Sequence, residues 1–240
     1  MPTLFDDLIH TLFPSYCLGC RRVTPPQTTL CLHCLSELPA THFHMSNSNS
    51  LVQLLQQLTP ISHATALLFF EQQRLVQQLI HQLKYMNREQ LGSLFGTQLG
   101  QKLIDSPFSS CDLVVPIPLH KRRQRQRGYN QVSQFGQQLA RQLQIDYVSH
   151  NLVRHKATKT LVRLNAHQRT AQIKNAFSVV DSSVFAGKHL LLVDDVVTTG
   201  TTLSEAANCL LQIEGVQVSV AAIAFANSPP SLVLKIVVSL

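Results

Sequence analysis

The sequence predicts an α/β protein, a parallel sheet covered on both faces by helices, with a small cysteine-bearing domain at its N-terminus. Three observations predict it. Residues 188–225 read as strand, helix and strand in that order, and a parallel pair of strands needs a helix crossing one face of the sheet. Cys17, Cys20, Cys31 and Cys34 give two C-x-x-C pairs close to the N-terminus, set apart in composition from everything that follows. At 240 residues, 45% hydrophobic and 14% charged, the chain can bury one main core plus an appendage, which excludes a disordered protein. The expected division is a cysteine domain over 1–40, a polar, turn-like linker over 41–50, the main α/β domain over 51–226, and a C-terminal extension over 227–240.

Leu4, Phe5, Leu8, Ile9 and Leu12 recur at helical spacing, so a short amphipathic helix leads into the cysteines and ends before Pro14, packing on the small domain. Two C-x-x-C pairs can each turn two thiolates toward one ion and together close the tetrahedral site of a structural zinc. Two disulfides are the rival arrangement, and a cytosolic chain is kept reduced, which favours zinc. His33, inside the second pair, is a weaker candidate ligand. So small a segment lacks the apolar residues to fold alone, so that metal binding supplies much of its stability. Cys111 and Cys209 stand alone and are expected as buried packing residues.

In the main domain Ala64 to Phe70 reads as a strand. Leu75, Val76, Leu79, Ile80 and Leu83 form one helical stripe, and Leu91, Leu94, Phe95 and Leu99 form another. Leu113 to Val115 is a short buried-type strand stopped by Pro116 and Pro118. Val132, Phe135, Leu139 and Leu143 share one helical face within residues 131–143. After a polar, basic stretch over 154–174, a strand begins near Lys188. Its helix is expected over Leu203 to Ile213, with Thr202 and Glu205 at capping-box spacing and Gly215 just past its end. Val216 to Phe225 is the following strand.

The run LLLVDDVVTTGTTLSEA, Leu190 to Ala206, carries the chemistry. Ligands of open parallel sheets bind beyond the carboxyl ends of the strands, and Asp194 and Asp195 stand where this strand leaves its apolar run. Thr198, Thr199, Gly200, Thr201 and Thr202 then lead into a helix N-terminus. Such a loop offers backbone N–H groups, hydroxyls and the positive end of a helix dipole to a phosphate, with Gly200 free to take positive φ. Carboxylates suit vicinal hydroxyls, or the waters of a hard cation such as Mg²⁺. Phosphate cradle and acidic pair together describe a ribose 5-phosphate site. No G-x-x-x-x-G-K-[ST] and no G-x-G-x-x-G occurs, which argues against nucleotide hydrolysis and dinucleotide binding.

Formal net charge is +7, which favours anionic partners. Much of it is local, in Lys121, Arg122, Arg123, Arg125 and Arg127, a run that serves equally as a solvated turn or an anion contact. The longest apolar stretches fall far short of the roughly 20 residues that cross a bilayer, so no membrane-spanning helix is expected. Asp6 and Asp7 interrupt the N-terminus where a secretory leader would be basic and then apolar, and a cytoplasmic location is expected.

VDDVVTTGTT, Val193 to Thr202, resembles the phosphoribosyl pyrophosphate (PRPP) motif of type I phosphoribosyltransferases. Together with the cysteine box and VVPIPLHKRRQRQRGYNQ, Val114 to Gln131, it resembles more narrowly the ComF (competence protein F, or GntX-like) family, over most of the chain from about Leu4 to Phe225. The resemblance implies a sheet of type I phosphoribosyltransferase type with a zinc-finger-like N-terminal domain. It implies that Asp194 and Asp195 engage the ribose hydroxyls, that Thr198, Thr199, Gly200, Thr201 and Thr202 hold the 5-phosphate, and that Pro116, Ile117 and Pro118 meet pyrophosphate. Arg127 and Asn130, in the family's R-G-[FY]-N, then line the anionic end with Mg²⁺, as arginine forks suit pyrophosphate. Residues 154–177 correspond to a flap in which Arg169 and Asn175 to Phe177 fit the family, while Leu161 and Gln172 depart from it.

As an enzyme, such a protein passes the ribose of PRPP to a nitrogen acceptor, which the sequence does not name, and releases pyrophosphate. As a binding module, it senses PRPP or holds single-stranded DNA. The family implies a role in natural transformation, beside a competence helicase and recombination proteins. Tryptophan is absent and aromatics are only 6%, so a base-stacking platform is not expected, and DNA contact through residues 120–127 would be weak and salt-sensitive.

Overall fold

A computed structural model describes residues 14–71, 74–120, 124–125, 127–155 and 176–226. The leading helix, the basic residues Lys121, Arg122 and Arg123, residues 156–175 with Arg169, Leu161 and Gln172, and the C-terminal extension lie outside the described residues.

The cysteine segment is a short antiparallel ribbon, β1 (Ser15–Tyr16) and β2 (Val23–Thr24), followed by a one-turn helix α1 (Leu32–Ser36). Residues 41–50, expected as a linker, are ordered against the main sheet. Thr41 N–H donates to the Leu67 carbonyl and Phe69 N–H to that of Pro39, so the segment runs along the edge strand. Asn49 closes it. Its amide donates to the carbonyls of Phe43, Ser46 and Ala64, and its Oδ1 accepts from Val52 N–H, capping helix α2 (Ser50–Gln56).

The remaining elements follow the hydrophobic periodicity, except for the short strands β5, β6 and β7, which the sequence reading does not mark. They are β3 (Ala64–Phe69), α3 (Leu75–Tyr85), α4 (Gln90–Leu103), β4 (Leu113–Pro116), α5 (Ser133–Leu143), β5 (Asp146–Tyr147), β6 (Leu152–Arg154), β7 (Phe177–Val179), β8 (His189–Val197), α6 (Thr201–Leu210) and β9 (Gln217–Phe225). Strands β3, β9, β8, β4 and β5 form, in that order, a five-stranded sheet in which every pairing is parallel. β6 and β7 form a separate antiparallel hairpin.

The strands are apolar on both faces because both faces are covered. Along β8, Leu191 and Val193 enter a core with α3, α4, α5 and the cysteine segment, while Leu190 and Leu192 enter the opposite core with α2, α6 and the β6–β7 hairpin. Cys111 is buried as expected; Cys209 is only half-buried, at the margin of the second core, its thiol directed at the Phe177 carbonyl. Helices α4 and α5 approach closely at Gly96, where a Cβ would stand 2.5 Å from the Phe135 carbonyl oxygen. That seam holds α5, and the loop before it, against the sheet.

Candidate functional site

β8 extends through both aspartates to Val197, and the loop turns at Thr198–Gly200 directly into α6. The helix starts at Thr201, two residues earlier than the capping box Thr202/Glu205 predicts, and that box does not form. Gly200 occupies the N-cap with φ +73, and no side chain caps the helix. A Cβ on Gly200 would meet Leu55 of α2 at 2.7 Å, so the loop is pressed on the core beneath it. Thr201 N–H has the Thr199 hydroxyl at 3.5 Å, and the N–H groups that follow it in the first turn of α6 retain their capacity for an external acceptor. The Thr199 and Thr201 hydroxyls stand 2.9 Å apart on the exposed side.

The two aspartates have different surroundings. Asp195 is buried, its Oδ2 accepting from Gln131 Nε2 at 2.5 Å and its Oδ1 lying 3.3 Å from Lys84 Nζ of α3. Both members of that ion pair are shielded from solvent, with side-chain exposures of 12% and 7%. Asp194, the preceding residue of the strand, is half-buried and accepts from the Asp195 N–H at 2.8 Å. Burial and the adjacent Asp195 charge push its carboxyl up to about 7, against the opposing pull of Lys84 and Arg154. Asp195 is thus held within the fold, and Asp194 is the carboxylate of the pair without an ion-pair partner among the described residues.

Pro116 ends β4 opposite Val193, and Ile117 continues the ladder by donating to the Val193 carbonyl at 2.9 Å before burying its side chain. Pro118 is half-buried beyond it. The Asn130 amide donates to the Ile117 carbonyl at 3.0 Å, so this residue shapes the loop from within. Arg127 lies over the Tyr85 ring at 4.9 Å and donates to its hydroxyl, and its Nη1 is buried without a partner among the described residues. The Tyr129 hydroxyl donates to the Leu83 carbonyl. Lys84 and Gln131 were not marked by the sequence as site residues. The signal for Lys84 is its place in an otherwise apolar helical pattern; for Gln131 there is none, since its partner is far away in the chain.

The four cysteine sulfurs lie within 4.8 Å of one another, with Cys20 and Cys31 at 3.6 Å, and none is in a disulfide. A tetrahedral zinc with bonds of ~2.3 Å sets its sulfurs ~3.8 Å apart, so the four thiols fit that ion. Backbone N–H groups of Gly19 and Cys31 point at Cys17 Sγ from 3.4 and 3.3 Å. Burial pushes the Cys17 thiol up, but hydrogen bonds from the backbone of Cys20, Cys31 and Gly19 outweigh it and bring the thiol down to about 6, whereas burial and the neighbouring thiols push Cys34 up.

Between the cysteine segment and α3 opens a cleft of about 1020 Å³. Arg21, His81 and Arg88 line it together with Tyr16, Gln82 and Met86, and no carboxylate among the described residues does. His81 packs on Tyr85 with ring centroids 4.9 Å apart, and Tyr85 in turn underlies Arg127. A row of planar groups thus joins the cleft to the loop that precedes α5.

Comparison with known proteins adds to this geometry. A family model described as "Phosphoribosyl transferase domain" matches residues 132–240. The chain is 34% identical over 82% of its length to the DNA utilization protein YhgH of Escherichia coli K12, covering 84% of that protein. It is 31% identical over 88% of its length to competence protein F of Haemophilus influenzae, covering 91% of it. Among solved structures, it is 20% identical to the glutamine PRPP amidotransferase of B. subtilis, with a TM-score of 0.43, over 62% of this chain and 31% of that one. Against the adenine phosphoribosyltransferase of Leishmania tarentolae the identity is 14% and the TM-score 0.35, over 79% of this chain and 94% of that one.

Proposed function

Since the chain belongs to the family of competence protein F and DNA utilization protein YhgH, a family carrying a phosphoribosyl transferase domain, we propose that it binds PRPP or another ribose 5-phosphate at the β8–α6 loop. The observation that carries this reading is the uncapped start of α6 at Gly200, flanked by threonine hydroxyls and set beside Asp194. The 5-phosphate takes the N–H groups of the helix start and the Thr199 and Thr201 hydroxyls. Asp194 takes ribose hydroxyls. Asp195 acts through position and charge from below.

Asp194 and the threonines are hard oxygen donors and fit Mg²⁺, which would neutralise pyrophosphate oxygens when bound with PRPP. Arg127 and the Pro116–Pro118 turn form the anionic end, with Asn130 fixing the turn. The cysteines carry zinc as a structural ion, and the reduced thiols accord with a cytoplasmic protein. Calorimetric titration of PRPP into the protein, with and without Mg²⁺, tests the site. Magnesium-dependent binding supports it; no binding in either condition refutes it.

A second reading is favoured by the cleft beside the cysteine segment. The relatives' names speak of DNA utilization and competence, and the cleft pairs cations with planar rings, the combination that holds a single strand by its phosphates and bases. On this reading the protein handles single-stranded DNA during uptake, near helicase and recombination proteins, through Arg21, His81 and Arg88. Arg127, over the Tyr85 ring, then extends the same basic surface. Fluorescence anisotropy of a labelled oligothymidylate across a salt series tests it, an affinity indifferent to Arg88→Ala being the adverse result.

A further inference from the structure

Helix α3 stands between the cysteines and the acidic pair and touches both. Gln82 Nε2 donates to the Leu18 carbonyl at 2.8 Å, and Gln78 Nε2 to the Gly19 carbonyl at 3.2 Å, so two amides one turn apart grip the backbone inside the first C-x-x-C pair. Leu79 and Leu83 share a core with Cys17, Leu30 and Cys34. Lys84, two residues beyond Gln82 and so about 200° further round the helix, leaves on the other side and reaches Asp195.

That ion pair is the sole one at Asp195 among the described residues, and it is buried. A buried carboxylate deprived of its counter-charge beside a second carboxylate becomes protonated or moves. The position of α3 therefore decides the state of the acidic pair. α3 in turn is gripped by a segment whose order depends on its metal.

We infer that α3 couples the cysteine centre to the ribose-phosphate site, with Lys84 as the positioning residue at its far end. Metal fixes residues 17–20; these fix α3 through Gln78 and Gln82; α3 holds Lys84 on Asp195; and the charge held there keeps Asp194 and its neighbour arranged for ligand hydroxyls. Loss of the metal releases Lys84 to solvent and weakens the site from a distance. The inference about ligand affinity rests on the proposed ribose-phosphate reading, whereas the linkage of Lys84 to the cysteines does not.

The experiment is reductive methylation of the full chain, with the modification rate at Lys84 read by mass spectrometry. It compares zinc-loaded protein, chelator-stripped protein, and a zinc-loaded Gln78→Ala, Gln82→Ala variant that keeps all four cysteines. Lys84 is expected to be protected in the loaded protein and modified about fivefold faster or more in the other two, with helix content retained. Equal rates in the loaded protein and the glutamine variant would overturn the linkage, and that comparison decides the matter even where stripping unfolds the chain. Titration of PRPP with Mg²⁺ into the same variant is expected to show an affinity about fivefold weaker or more. Faster labelling with unchanged affinity would overturn the coupling to the site, while absence of binding in the loaded wild type would count against the ribose-phosphate reading and leave the linkage to be judged on the labelling.

Discussion

The cysteine segment and the β8–α6 loop are both short and polar, and each builds a site, yet they are held by opposite means. The cysteine segment contributes few side chains to a core, chiefly Cys17, Leu30 and Cys34, and two of those are metal-ligand candidates. The loop hangs from two nine-residue strands paired along their length and rests on Leu55. On the proposed zinc reading one region draws its order from an ion, and the other inherits order from the sheet. Substitutions in the first therefore act on stability before chemistry, and substitutions in the second act on ligand binding while the fold persists.

The largest expected effect is on the cysteine side. Cys17→Ser should abolish stoichiometric zinc, measured by atomic absorption, and lower the melting temperature on the order of 10 °C. Unchanged metal content would show that the four thiols serve otherwise. Next comes Gly200→Val, where a branched side chain meets both a positive φ and Leu55. A loss of about 2–3 kcal/mol in denaturant unfolding is expected, together with loss of phosphate affinity, from a chain that still folds.

The electrostatic difference between the aspartates gives a smaller effect. Because the folded-state carboxyl of Asp194 is raised, the native state binds more protons than the unfolded state between the ordinary carboxylate range and about pH 7, and stability falls as pH rises through that window. Binding has the opposite sign. If ribose hydroxyls or a hard cation require the ionised form, affinity should climb with pH up to about 7, by at most about tenfold per unit, and level off above it. Asp194→Asn should flatten this profile in calorimetric titrations from pH 6 to 8; a profile that survives the substitution would place the titrating group elsewhere. Smallest is Arg88→Ala in the cleft, which should reduce the salt slope of single-strand binding by about 0.7 with little change in stability.

Much of this was legible in the chain. The helical stripes, the β4 and β8 strands and the βαβ order follow from periodicity because each helix buries one face against a core and the strands, covered on both faces, read as continuous apolar runs. The cysteine cluster was legible because ligand spacing is local. Helix α2 was hidden, since its start depends on Asn49 bonding to Ala64 across a polar run that reads as a linker. The capping box was misplaced because Gly200, in a left-handed conformation, begins the helix where a side-chain cap reads better two residues on. The aspartates were read as one pair facing the ligand; what divides them is Lys84, distant in sequence and adjacent only after folding. Likewise a low aromatic content says nothing of where the aromatics gather, and His81 and Tyr85 stand together beside the cleft.

The measurement that tests the central claim most directly is calorimetric titration of PRPP with Mg²⁺ into the wild type, Asp194→Asn and Gly200→Val, each confirmed as folded. A ribose 5-phosphate seated on the β8–α6 loop predicts binding by the wild type and a loss of more than about tenfold in both variants. A wild type that does not bind, or variants that bind as it does, would contradict it.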